Sequence, residues 1–439
     1  MKNPAAGAVL ISAFALALPA SAQDAPAPAA PAAPQLFDPA LLKLYADMMK
    51  DLRPLISHRA TLKQKVELTR NFSFSPDTRT ELQSAFGNDN PLHISVEDLP
   101  AGGAAIHVLT DALDHTDAKN GGTMHVGAAT AESIVNSDYT AVKTNLAMGD
   151  LKLTAPGGPG VFEMNNLTLA GDNKVGPSNF FVGKTGGKIG HVRAGISDSF
   201  MLDIDDMNFT ADVAARKKMF DVSYDYRIAS VGWGGDKLEN FHTDIAITNI
   251  DVQALEKLAD FGESVDAGRQ ADAEQMNQVV RMFKDLAVDF SRHNGAIELR
   301  DVSAQYHGQT AGLSGRITLS GIRQSDLQST QKVYEKLALR LRLHVPTAMI
   351  DDISHRVARA VMEAQAKANG GEVTDMAIDL VARGMVGKIT DTLVKEQKWA
   401  HMEKDELVAV LELKKGKMYL DGHTVNAKSN PFLAMARGK

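Results

Sequence analysis

Thirteen histidines and no cysteine bound the chemistry open to this 439-residue chain. Without a thiol there is no thiolate nucleophile, no redox pair and no sulfur ligand for zinc. His93, His107, His115 and His125 share one strand-rich stretch, where a sheet could bring two of them together. They show neither H-x-H nor H-E-x-x-H spacing, which favours hydrogen-bonded strand histidines over a zinc site. Asp203, Asp205 and Asp206 form a carboxylate group, with Asp203 and Asp205 on one strand face. A calcium loop needs oxygen ligands at fixed spacing with a turn glycine, and a glycosidase needs a second carboxylate across the bond. The three aspartates meet neither requirement and read as the solvated side of a bend.

Two glycine-rich stretches also fall short of motifs. Gly183-Lys184-Thr185-Gly186-Gly187-Lys188 has three residues where a phosphate loop needs four, and Ile189 stands where Ser or Thr should follow the lysine. It reads as a turn. Gly312-Leu313-Ser314-Gly315 is not G-x-S-x-G, because the serine directly precedes its glycine. The net charge of −7 and the lack of a long basic run disfavour nucleic acid. The chain therefore reads as non-enzymatic, with no cofactor and no metal.

What organises the sequence is a spacing of apolar residues, φxφxxφxφ. It occurs at Leu146, Met148, Leu151, Leu153; at Phe162, Met164, Leu167, Leu169; and at Leu202, Ile204, Met207, Phe209. It recurs at Ile245, Ile247, Ile250, Val252 and at Ile297, Leu299, Val302, Ala304. Strand side chains alternate with period two, so an unbent strand would swap faces at the midpoint. One additional residue there, as a bulge or sharp bend, returns both pairs to one face. The midpoints are rich in Asn and Asp (Asn165, Asn166, Asp205, Asp206, Asn249, Asp301), which tolerate unusual backbone angles. The alternative is strands that cross between two cores.

The ends set the context. Lys2, an apolar run around Ala8 to Leu18 and Ala20-Ser21-Ala22 predict a cleavable signal peptide over 1–22, hence export to the periplasm. Residues 23–36 form an Ala/Pro-rich linker. Residues 37–439 are expected to be a single elongated domain, strand-rich over 66–250 and mixed helix and strand over 251–439.

Along that domain, Leu41, Tyr45, Met48 and Leu52 predict one N-terminal helix, a stalk or a lid on the sheet. From about Val66 to Gly232 strands and turns follow, with turn signals at Asn120-Gly121-Gly122, Pro156 to Pro159, Gly171-Asp172-Asn173 and Gly186-Gly187. Two amphipathic helices come next, one lined by Val252, Leu255, Leu258 and Ala259, the other by Met276, Val280, Phe283 and Phe290. Leu337 to Val345 is a strongly alternating strand. Two further helices carry Ile350, Ile353, Val357, Val361 and then Ile378, Val381, Met385, Ile389, and a hairpin closes the chain. The predicted fold is α+β: a long, twisted, mostly antiparallel sheet with bent strands and amphipathic helices to cover it.

The segments HTDIAITNIDVQALEKL, AIELRDVSAQY, GLSGRITLSG, the alternating strand ending LHVP and the hairpin KGKMYLDG resemble the YdgA-like family of bacterial envelope proteins. The likeness covers about Phe241 to Leu433. It implies an envelope protein without an established biochemical role and transfers no functional residue. The bent strands are more remotely similar to AsmA-like envelope proteins, whose curved sheets are associated with phospholipid transport.

Two functions follow as expectations. An apolar trough lined by Phe162, Met164, Leu202, Ile204, Ile245 and Ile247 could hold a phospholipid or other envelope lipid, if helices do not fill it. Alternatively the chain is a structural protein that self-associates into a homo-oligomer or pairs with another envelope protein through its sheet.

Overall fold

The computed structural model describes residues 39–117, 121–155, 160–197, 200–264, 273–369 and 372–425. The expected signal peptide, the linker and the turn at Pro156 to Pro159 lie outside the described residues. The fold is α+β, with mostly antiparallel strands in an open arrangement rather than a barrel. The chain groups into two compact units, Met1–Lys237 with Asp251–Met282, and Leu238–Ile250 with Phe283–Lys439.

The first unit begins with three helices rather than one: α1 (Pro39–Ile56), α2 (Leu62–Arg70) and α3 (Pro76–Phe86). The sequence reads as strands from about Val66, and the signals that overrule this are caps. Thr61 and Gln64 form a reciprocal capping box ahead of α2. Ser75 caps α3, Pro76 is its first residue, and Gly87 ends it at φ 70°.

The sheet of this unit comprises β1 (Leu92–Asp98), β2 (Ala104–Thr110), β3 (Leu113–Thr116), β4 (Thr123–Val126), β5 (Ala129–Val135) and β6 (Ala141–Met148). It continues through β7 (Leu151–Thr154), β8 (Val161–Asn165), β9 (Leu167–Val175), β10 (Phe181–Ser197), β11 (Phe200–Arg216) and β12 (Met219–Trp233). The pairs β2/β3, β4/β5, β6/β7 and β8/β9 are each one bent strand, interrupted by one or two residues. The interruptions lie side by side. Register is continuous across them, since β5–β6 and β4–β7 pair in step, as do β6–β9 and β7–β8. The predicted additional residue is therefore present in every neighbouring strand, which makes a shared crease rather than a local bulge. Asn166 (φ 58°) and Asp206 (φ 48°) sit on it in the left-handed region that Asn and Asp tolerate.

On one side of the crease, Leu113, Val126, Leu151, Met164, Val192, Ile204 and Val231 form one cross-strand row. On the other side, Ile94, Val108, Ala131, Leu146, Leu169, Gly187, Phe209 and Tyr226 form another. Gly186 and Gly187, expected to turn, lie inside β10. A Cβ at Gly187 would collide with Leu169 and Phe209, so the glycine lets two large side chains close over the strand. Gly171 to Asn173 likewise lie inside β9. Leu41 of α1 joins the core of the first row, and Phe86 of α3 packs on it. Leu62 and Val66 of α2 bury against Ala104, Val135 and Val142. The N-terminal helices are thus a lid. The helix α4 (Val252–Ser264) also belongs to this unit, burying Val252, Ala254 and Ala259.

In the second unit, β13 (Asp236–Asp251), β14 (Ala296–Tyr306), β15 (Gln309–Leu319), β16 (Leu337–Pro346), β17 (His401–Glu403) and β18 (Glu406–Lys414) pair antiparallel, with β19 (Lys417–Leu420) and β20 (His423–Thr424) beyond β18. Here the additional residue is a true bulge: β14 advances one residue more than both β13 and β15 around Arg300 and Asp301. The helices are the end of α5 (Ala273–Arg292), then α6 (Thr330–Lys336), α7 (Thr347–Asn369) and α8 (Asp375–Thr390).

If the crease depends on residues that accept positive φ, Asn166→Val should lower stability by about 1–2 kcal/mol, read as a lower urea midpoint. Asn166→Gly should leave the midpoint close to wild type.

Candidate functional site

The residues with reactive side chains are built into the bends. Asp205 Oδ1 lies 2.8 Å from His191 Nδ1, and Asp205 Oδ2 accepts a hydrogen bond of 2.7 Å from Ser230 Oγ. These residues come from β11, β10 and β12. The Ser230 hydroxyl, and after it His191, holds the Asp205 carboxyl below the usual carboxylate range. Asp206 pairs with Lys188 at 2.8 Å, and Asp203 lies 3.8 Å from Arg193. The second unit repeats the trio at its bulge: Asp301 Oδ2 is 2.8 Å from His242 Nδ1 and accepts from Ser303 Oγ at 3.2 Å. In both trios the carboxylate stands between serine and histidine. A nucleophilic serine needs the histidine on its own hydroxyl, so this order pins strands together and does not activate an oxygen.

Of the four histidines of the strand-rich stretch, His93 and His107 line one pocket on adjacent strands, and each of the four has a partner of its own. His93 Nε2 is 3.0 Å from Asp111, His125 Nδ1 is 2.7 Å from Asp114, and His115 Nδ1 is 2.8 Å from the Ala85 carbonyl. His107 lies 3.9 Å from Glu132. Among the described residues no three His, Asp or Glu side chains converge as a metal would require. In the second unit His401 sits between Glu403 (3.0 Å) and Asp421 (2.8 Å), and Arg342 donates to Glu403 at 2.6 Å. Histidine beside carboxylate is the recurring polar contact of the surface.

The six residues of the expected trough are divided between the two units, four in the first and two in the second. Met164 is 1% exposed and Phe162 packs on the same core, so both belong to the sealed interior of the first unit. Leu202 and Ile204 sit on that face where it is only half-buried, towards β12. Ile245 and Ile247 belong to the second unit, and there the face is different. Ile247, Ile297, Ile317, Leu339 and Leu413 form one row across β13, β14, β15, β16 and β18. Ile245, Leu299, Gly315, Leu341 and Leu411 form the next. Of these ten only Leu413 is buried, and on the adjacent row Leu343 is 43% exposed.

Along α5, Val280 and Phe283 are 44% and 59% exposed, whereas Leu286, Ala287 and Phe290 are half-buried. The opposite face of the same strands is an ionic ladder, with Glu298 near Arg316 (3.5 Å) and Arg340 near Glu412 (3.4 Å). The candidate site is thus a broad aliphatic surface with charge confined to its reverse. Sequence reasoning found Ile245 and Ile247 but missed that β14 to β18 complete the surface. The leucine alternation of β16 was the available signal.

The His401 cluster has a defined pH signature. Glu403 and then Asp421 raise the His401 pKa, while Arg342 and then His401 hold Glu403 down to about 2. A raised histidine pKa adds stability that is complete below the ordinary value of about 6.5 and disappears as pH rises through the folded-state value. The thermal midpoint is therefore expected to fall as pH goes from about 6 to 8.5, and to fall less in His401→Gln. A variant as pH-sensitive as wild type would remove His401 as a source of that dependence.

Among curated proteins none matches this chain. The profile of one family matches residues 69–428, reaching far into the N-terminal half beyond the likeness seen from Phe241 onward. With that match over most of its length, the chain belongs to the bacterial proteins of unknown function grouped as DUF945.

Proposed function

We propose that this is an exported, non-enzymatic envelope protein that holds the hydrocarbon part of a lipid on the aliphatic face of its second unit. The observation that carries the reading is a contrast in burial. Leu151, Met164 and Leu167 of the first unit are 1–4% exposed beneath their helices, whereas the nine outward members of the two rows in the second unit remain half-buried. Uncovered apolar surface costs about 25 cal/mol per Å² against burial, and each CH₂ of a bound chain returns about 0.8 kcal/mol. The resemblance to YdgA-like and, more remotely, AsmA-like envelope proteins agrees with this reading, as does the signal-like N-terminus. No helix among the described residues is long and apolar enough to cross a membrane.

Mass spectrometry of lipids that co-purify with the exported protein tests this. Near-stoichiometric phospholipid is expected with wild type and with Arg340→Ser on the reverse face. Leu341→Asp should lose it roughly tenfold or more, an aspartate on that face being costly to bury, with an unchanged circular dichroism spectrum. A wild-type protein purified free of lipid would sink the proposal.

A further inference from the structure

The helices α7 and α8 run antiparallel, as the contacts of Arg359 with Asp375 (3.2 Å) and of His355 with Asp379 (3.1 Å) require. Their shared core is small: Ala358, Ile378 and Ala382, at 0%, 4% and 0% exposure. Residues that follow each core position by one (355, 359, 379) lie on one flank, and those that precede it by one (353, 357, 361, 377, 381) lie on the other. The first flank is ionic. The second is aliphatic at these positions and mostly exposed.

Ile353, Val357 and Val361 are 46%, 43% and 46% exposed, and Val381 is 39% exposed. Leu380, next to Val381, is 74% exposed. Between these positions the strip is filled by Ala360, Ala364, Ala377 and Gly384, and the ionisable side chain next on it is Lys388, one turn beyond Gly384 at the end of α8. The sequence marks Ile353, Val357 and Val361 as the face to be buried, yet the structure buries Met349, Ser354 and Ala358 instead.

We infer that this flank is a self-association surface, which pairs with the same flank of a second copy of the chain. Two features select a second copy over a lipid surface. In the hairpin the six acidic side chains (Asp351, Asp352, Glu363, Glu372, Asp375, Asp379) outnumber the five lysines and arginines (Arg356, Arg359, Lys367, Arg383, Lys388), so it presents no excess positive charge. The whole chain carries −7, which repels anionic headgroups. A flat aliphatic strip on two antiparallel helices is self-complementary: two hairpins joined flank to flank make the core of a four-helix bundle. Over the 16 residues of α8 the face runs ~24 Å, and two helices side by side are ~20 Å wide. That footprint of ~500 Å² in projection is of the order of the ~800 Å² each partner gives to a specific interface.

The test is light scattering of the mature protein at about 100 µM, above the Kd of any specific dimer in the micromolar range. Wild type should run as a dimer. Leu380→Ser together with Val357→Ser, both at exposed positions, should weaken dimerisation roughly tenfold or more with an unchanged circular dichroism spectrum. Because the chain has no cysteine, Val357→Cys is expected to cross-link with a bis-maleimide and Arg359→Cys, on the ionic flank, is not. A monomer at that concentration, or a dimer indifferent to both serine substitutions, overturns the inference. Binding of wild type to phosphatidylethanolamine–phosphatidylglycerol vesicles, lost in the serine variant and without dimerisation, would identify a lipid surface as the occupant and overturn it equally.

Discussion

The sheet of the first unit depends on one geometric constraint: strands that carry apolar pairs on both sides of a midpoint must gain a residue there to keep one face apolar. A single bulge would break register with each neighbour. Here the additional residue is present in adjacent strands at the same level, so the ladder crosses the crease in step. The left-handed residues Asn166 and Asp206 make the turn without a β-carbon clash severe enough to exclude it. From that crease follow the two apolar rows, the place for the N-terminal lid and the exposure of the polar midpoints.

Those midpoints explain how the aspartates of the bends and the histidines beside them are held. A carboxylate at a bend brings charge close to backbone that has left its regular ladder, and it is stabilised by donors from adjacent strands. Asp205 takes a serine and a histidine from the strands on either side, and Asp301 takes a histidine from the adjacent strand and a serine two residues along its own. Residues held in this way have their lone pairs and protons committed to each other, which suits a strand clamp.

The two units differ in how far the aliphatic face is finished. In the first, α1, α2 and α3 bring Leu41, Leu62, Val66 and Phe86 onto the sheet and the interior closes. In the second, α7 reaches the end of the sheet, where Arg356 stacks over Tyr306, and its own aliphatic stripe faces away. The hairpin of α7 and α8 is tied together by alanines and ion pairs, which leaves larger side chains available for other surfaces.

The sequence by itself determined the strand pattern, the α+β class, the bent character of the strands and the amphipathicity of the helices, because side-chain period and backbone tolerance are local properties. Its record was weaker where a local signal had two meanings. Glycines 171, 186 and 187 read as turns but sit in strands, since only the neighbours reveal that Phe209 needs the space. The crease is also hard to see in β4 and β5, where Ala129 and Ala131 stand in for larger apolar residues. Tertiary structure alone decided which apolar faces are covered. Periodicity says that Ile353, Val357 and Val361 share a stripe, but burial depends on what lies opposite, and α8 offers its alanine to Ala358 instead. The same holds for Met164 and Ile247. Both fit one repeat, yet one is sealed under helices and the other remains on a half-covered surface, because cover is supplied by elements distant in the chain.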